Sequence, residues 1–213
     1  MRINFNRATL SPQEEVEVLG VTYDQGLTFR THIECLARAA SGKLASLRRM
    51  SWLLDGEGLE LLYKAQVRSS LEFSCLAWGG SASKHLTLLD KVQNRAARLI
   101  RDTAGQQPRL HTLQHRRDVA GLTVMYKVQV ERVSHMQELH LPARSPQVTT
   151  RMVTQTPGEL LLTRCRTWHH QRQYINSCAR KWNTLLASQE INLSDTNTQT
   201  FKVQVNHWLL RQG

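Results

Sequence analysis

Carboxylates come first, because most transfer and hydrolytic chemistry needs them. The chain holds six aspartates, Asp24, Asp55, Asp90, Asp102, Asp118 and Asp195, and no two are adjacent. Two-metal catalysis needs carboxylates that converge on ions about 4 Å apart. Each of these six sits where a cap, a turn or a surface would use it. No Gly-x-Ser-x-Gly elbow, no His-Glu-x-x-His and no glycine-rich phosphate loop occurs, so the sequence offers no hydrolytic or nucleotide-cradling motif. His111 and His115 are four apart and on a helix would share a face, but no third metal ligand lies near them. The cysteines, Cys35, Cys75, Cys165 and Cys178, have no close spacing; they read as free thiols, with no zinc site and no disulfide framework. No catalytic and no metal-binding residue is therefore assigned.

Cations are the more informative residue type. The net charge is +11, with a net +3 over residues 1–100 and +8 over 101–213. Such a surface attracts a polyanion, and a phosphate backbone is the commonest intracellular one. Lys91, Arg95 and Arg98 line up along one face of a helical run. They form either a ridge for phosphates or a solvated face paired with Asp90 and Asp102. Between Leu139 and Leu185 seven basic residues, Arg164, Arg166 and Arg172 among them, meet one acid, Glu159. Trp168, His169, His170 and Tyr174 are interleaved with them. Arginine beside exposed aromatics suits single-stranded RNA; the alternative makes Trp168, Tyr174 and Trp182 anchors of a small helical core. Trp182 fits the second reading, because it shares a face with Leu185 and Leu186.

The elements that carry these residues follow from periodicity. Ile3 and Phe5, then Val16 and Val18, then Val21 and Tyr23 alternate with polar neighbours, the pattern of strands. Ser11-Pro12-Gln13 suits a turn, and Gly20 marks a bulge or a close backbone approach. From Thr31 the period becomes helical, with Thr31 and Glu34 spaced as a capping box. Ile33, Leu36, Ala37, Ala40, Leu44 and Leu47 form its apolar stripe. A second helix follows Asp55-Gly56, with Leu59, Leu62, Tyr63, Val67 and Leu71 inward and Trp78-Gly79-Gly80 at its close. A third spans about Ser83–Arg101, with His85, Leu88, Leu89, Val92, Ala96, Leu99 and Ile100 on its stripe. A fourth spans about Asp118–His135, with Val119, Leu122, Tyr126, Val130 and Val133 together. Residues 139–160, with Pro142, Pro146 and Pro157, lose all period. Helices are expected again over Trp168–Leu186 and Phe201–Leu210, the last capped by Ser194 or Asp195. No run of about 18 apolar residues could span a membrane, and the first residues lack a signal peptide's apolar run, so an intracellular chain is expected.

Several of these segments resemble one family. Val18-Leu19-Gly20-Val21-Thr22-Tyr23-Asp24, then Leu27-Thr28-Phe29 and His32-Ile33, resembles a stretch of non-LTR retrotransposon reverse transcriptases, jockey-like elements especially. Leu62-Tyr63-Lys64 with Val67-Arg68-Ser69-Ser70-Leu71-Glu72-Phe73 is similar to a helix of that family, with Phe73 where Tyr is usual. Trp78-Gly79 follows in place. The run from Leu88 to Ile100, through Val92-Gln93, Arg95-Ala96 and Arg98, resembles its next helix, and Arg116-Arg117 with Tyr126-Lys127 the one after. Tyr174 to Leu185, with Ser177 and Trp182-Asn183, resembles its closing motif, with Leu186 in place of Pro. Phe201-Lys202 opens the final helix. Each motif alone is weak; the ordered set, from Val18 to Leu210, is specific.

The resemblance implies the end of a palm, a thumb and a C-terminal extension of an RNA-directed DNA polymerase, starting after its catalytic carboxylates. The expected fold is mainly α: a short N-terminal β-hairpin, a thumb-like helical bundle and a small C-terminal helical segment. The expected divisions are 1–29, a primer-grip-like hairpin; 30–138, the bundle; 139–163, a Pro/Thr-rich linker or arm; and 164–213, a basic helical segment. The expected function is a non-catalytic grip on RNA or an RNA–DNA hybrid, with no small-molecule substrate and no membrane. Gly20, Lys91, Arg95, Arg98, Arg164, Arg166 and Arg172 are its candidate contacts. No cofactor is expected in this stretch, although the parent family would use Mg2+. Two other readings fit the same residues: a host-adopted helical module that binds another protein, or a decayed element copy without function.

Overall fold

A computed structural model describes residues 13–105, 107–144, 157–191, 193 and 196–212, and the backbone of residues 3–5 and 8–10. Ser11, Pro12, Pro146, Arg151, Ser194 and Asp195, on which some expectations fall, lie outside the described residues. The protein is mainly α, with its strands near the N-terminus. It forms two compact units, one of residues 1–74 and 81–108 and the other of 75–80 and 109–213.

The first unit opens with two antiparallel hairpins. β1 (Ile3–Phe5) pairs with β2 (Ala8–Leu10), and β3 (Glu15–Val18) pairs with β4 (Val21–Asp24). Alternation at Ile3, Phe5, Val16 and Tyr23 foretold three of these strands; β2 carries no such pattern. Val18 pairs with Val21, which leaves Leu19 and Gly20 as a two-residue turn. Both have positive φ, 50° and 80°, the geometry of a type I′ turn whose twist matches the strands it joins. Gly20 is thus a turn residue and not a bulge. This turn type places both central residues in the left-handed region, which glycine enters without a Cβ penalty.

Helix α1 (Arg30–Met50) follows. Its start is not the expected capping box. Thr31 donates to Glu15, and Glu34 takes Arg30 at 2.8 Å. The carboxylate of Asp24 organises the approach instead, accepting from the backbone N–H groups of Gly26 at 3.1 Å, Thr28 at 3.0 Å and Phe29 at 2.6 Å. Partial burial pushes the Asp24 pKa up. The N–H groups of Thr28 and Phe29, the Thr28 hydroxyl and the Gly26 N–H outweigh that and hold the carboxyl below its ordinary value. Hydrogen bonds to a charged form favour that form.

After a 3-10 turn, Asp55 caps α2 (Gly56–Leu62) by accepting from Gly58 N at 2.7 Å. The chain continues through a π-helical stretch, Tyr63–Arg68, into α3 (Ser69–Glu72). Leu59, Tyr63, Val67 and Leu71 are buried along it. Helix α5 (Ser83–Ala104) packs along α1 in the same direction: Ser41 meets Arg95, and Glu34 feels His85. Its buried face is Leu86, Leu89, Val92, Gln93, Ala96 and Ile100. Gln93 is polar, so apolar periodicity misses it; the Tyr63 hydroxyl donates to its Oε1 at 3.1 Å.

The second unit holds α4 (Cys75–Trp78), α6 (Leu113–Gln129), α7 (Trp168–Arg172), α8 (Tyr174–Ala187) and α9 (Thr198–Gln212). Helix α6 starts five residues earlier than the stripe suggests, because Thr112 caps it by accepting from His115 N at 3.1 Å. It also ends sooner, so Val130 is exposed and Val133 lies beyond the helix. Val119, Leu122, Met125 and Tyr126 share a core with Trp182, Leu185, Phe201, Val205 and Trp208. This fourth helix therefore packs with the C-terminal helices, within the span 30–138 that periodicity groups as one bundle. Tyr126 stacks on Phe201 at 4.3 Å. Asn197 caps α9 by accepting from Thr200 N at 2.8 Å.

The expected helix from Trp168 to Leu186 is broken at Gln173, which has ψ 152°. Gly80 explains the break. A Cβ there would meet Arg172 O at 2.4 Å and Gln173 Cα at 3.1 Å, so only glycine admits the backbone that passes it.

Candidate nucleic-acid interface

On α5 the residues opposite the buried face are the cations. Lys91, Arg95 and Arg98 are all exposed and recur at one helical face. Arg95 is held in place: its Nη2 donates to Ser41 Oγ at 2.9 Å and its Nε to Lys91 O at 3.4 Å. Neither Asp90 nor Asp102 pairs with any of the three among the described residues. Asp102 takes its neighbour Arg101 at 3.0 Å. Beside the ridge, α1 and α5 leave a shallow groove of about 430 Å³, lined by Glu34, Ala37, Arg38, Ser41, Leu88, Lys91, Val92 and Arg95.

Arg38 is a cation that sequence reasoning misses. It lies on the polar side of α1, and only the packing of α1 along α5 brings it to the groove that Lys91 and Arg95 line. The one acid there, Glu34, bonds Arg30, and that hydrogen bond holds its carboxyl below the ordinary carboxylate range despite slight desolvation. The groove thus carries three cations against one neutralised anion.

Gly20 stands at the hairpin tip beside Leu19, which is 90% exposed. A Cβ on it would lie 3.4 Å from Phe73 Cε1, an ordinary contact, so its positive φ and not crowding is what calls for glycine.

The basic stretch of the second unit divides into tied and free side chains. Arg144 pairs with Glu159 at 2.8 Å, Lys181 pairs with Asp118, and Arg180 donates to Gln171 O. Arg172 is half-buried, with its Nε donating to Gly80 O at 3.2 Å, so it serves the helix break. Arg164 and Arg166 are exposed on the irregular chain before α7, with no ion-pair partner among the described residues. Trp182 is buried, as its stripe implies, whereas Trp168 is exposed.

Several other reactive groups are held by burial or by a neighbour, whereas the Cys35 thiol is exposed. Desolvation pushes the Cys178 thiol up to about 12 against the nearby Lys181 ammonium, which leaves it a poor nucleophile. Burial likewise raises the Tyr174 hydroxyl, which bonds Gly121 O at 3.3 Å. His111 precedes α6, its ring 4.8 Å from that of His115 and tilted by 31°, and His115 Nε2 bonds Asn206 Oδ1 at 2.7 Å. Among the described residues no three His, Cys, Asp or Glu side chains come close enough to hold a metal ion. No helix of the described residues is long and apolar enough to cross a membrane.

Comparison with known proteins gives a consistent direction. The chain is 30% identical over 109 residues, 48% of its length, to the RNA-directed DNA polymerase from mobile element jockey of Drosophila funebris. It is 28% identical over 148 residues, 67% of its length, to the jockey polymerase of Drosophila melanogaster. It is 31% identical over 88 residues, 38% of its length, to the probable RNA-directed DNA polymerase from transposon X-element of Drosophila melanogaster. It spans 11%, 16% and 9% of those proteins respectively. No family model matches, and no solved structure matches. The three likenesses mark the chain as a reverse-transcriptase-like sequence, similar to part of the RNA-directed DNA polymerases of non-LTR retrotransposons.

Proposed function

We propose that the chain grips nucleic acid, an RNA or a template–primer duplex, and that it contributes holding and not chemistry. The observation that carries this is the α5 ridge: Lys91, Arg95 and Arg98 on one exposed helical face, unpaired with acids, on a helix whose other face is locked in the core. A rigid row of cations neutralises successive phosphates without reading bases, which suits sequence-independent holding. Arg38 extends the row across the groove. Arg164 and Arg166, exposed and without an ion-pair partner among the described residues, add backbone contacts of the same kind. Gly20 allows the hairpin tip a close approach to a primer backbone, since no side chain stands on it. Arg172 contributes by fixing α7. The likeness to RNA-directed polymerases supports the choice of nucleic acid over other polyanions.

Charge reversal tests the ridge. The triple variant K91E/R95E/R98E, read by fluorescence anisotropy with a labelled RNA–DNA hybrid, should lose about tenfold or more in affinity. Its helical circular dichroism should match the parent, because all three side chains point away from the core. Unchanged affinity in a folded variant contradicts the proposal.

A further inference from the structure

We infer that Trp168, flanked by Arg164 and Arg166, is a base-stacking contact for single-stranded nucleic acid. Trp78, Trp182 and Trp208 are buried, whereas Trp168 is 78% exposed. An indole left in water on an otherwise packed unit has a large apolar face with nothing upon it. Its backbone is fixed. Thr167 Oγ1 accepts from His170 N at 3.2 Å, Gln171 Nε2 donates to Cys165 O at 3.4 Å, and Asn176 Nδ2 donates to His170 O at 2.9 Å. The backbone that carries the ring is thereby ordered before any ligand arrives, so binding has less chain entropy to lose.

The surroundings select the ligand. Arg164 and Arg166 stand four and two residues before Trp168, and both are exposed. From Leu160 to Gln189 the sequence has no Asp or Glu. A π-face with two exposed guanidinium groups beside it in sequence, in a stretch without acids, complements a base stacked next to its phosphates. Bases in a duplex are already stacked, so a single strand is the form that can offer one. Trp52, 80% exposed, serves as a control. The inference rests on the nucleic-acid reading above and adds to it a base contact, which the α5 ridge does not supply.

The test uses the full chain, a labelled uridine 20-mer and inorganic polyphosphate, which has the charges without the bases. Trp168→Ala should weaken RNA binding by about tenfold and leave polyphosphate binding unchanged. R164E/R166E should weaken both, and Trp52→Ala neither. Equal RNA affinity for the parent and Trp168→Ala overturns the inference, as does an equal loss for RNA and polyphosphate. Loss of binding to phosphatidylcholine–phosphatidylserine vesicles in Trp168→Ala, with RNA binding intact, also overturns it and assigns the ring to a membrane surface. A parent chain that binds neither RNA nor hybrid overturns both readings, whereas a parent that binds both with Trp168→Ala unaltered overturns this one alone.

Discussion

The side-chain amide of Asn183 holds the backbone of Leu160 at both ends: its Oδ1 accepts from the Leu160 N–H at 2.8 Å, and its Nδ2 donates to the Leu160 carbonyl at 2.9 Å. The neighbouring Trp182 donates from Nε1 to Gly158 O at 3.3 Å. Leu160, 3% exposed, is thereby pinned into the core of the second unit. The Trp182-Asn183 pair thus has a structural reason independent of any ligand. Asn183→Leu keeps the branched outline with a somewhat larger volume but removes both bonds, and should cost about 2 kcal/mol at roughly 1 kcal/mol per bond. Urea unfolding should show this as a lower midpoint at unchanged slope.

The hairpin turn predicts an opposite sign. Leu19 holds φ 50° with a side chain 90% exposed, a conformation that disfavours leucine and suits asparagine. Leu19→Asn should stabilise the first unit by about 0.5–1 kcal/mol, and Gly20→Val should destabilise it by at least as much. Thermal unfolding of the two variants checks both signs.

Gly80→Ala should be among the most damaging small substitutions. Its new methyl would stand 2.4 Å from the Arg172 carbonyl oxygen and 2.8 Å from its carbon. Both are backbone atoms and cannot swing aside. A cost of about 1–3 kcal/mol follows from the forced shift. Chemical denaturation measures it.

Protonation supplies a fourth prediction. His32 is buried, and its Nδ1 accepts from the Thr22 N–H at 3.3 Å, tying β4 to α1. Desolvation lowers its pKa below 6.5, opposed in part by the Glu17 carboxylate. A folded value below the unfolded one means that the unfolded chain binds more protons in the interval between them. The stability contributed by neutral His32 is therefore complete above pH 6.5 and is lost as the pH falls through the lowered folded value. His32→Gln should flatten stability against pH in that interval; an unaltered profile contradicts the assignment.

Legibility in the sequence follows a physical divide. The stripe of α1, the Asp55 cap, the buried face of α2 and the α5 cations are local patterns, and the structure contains each of them. One misreading is a local competition, and the others come from partners distant in sequence. Thr31 and Glu34 have capping-box spacing, but Asp24 reaches the N–H groups before the helix begins. The break at Gln173 depends on Gly80, and the burial of Leu160 depends on Asn183. No window of local periodicity contains both members of those pairs. Arg38 is the same case within the site, since a helix pattern cannot say which of its polar residues will face another helix. The likeness to one family reaches further than periodicity because its ordered motifs carry such long-range pairings with them.

The central claim, a grip through phosphates, is tested most directly by the salt dependence of hybrid binding by the full chain. The account predicts that the logarithm of the association constant falls linearly with the logarithm of salt, by about 0.9 per duplex phosphate neutralised. Three ridge cations then give a slope of about −3 or steeper. An affinity that stays flat between low and moderate salt would contradict it.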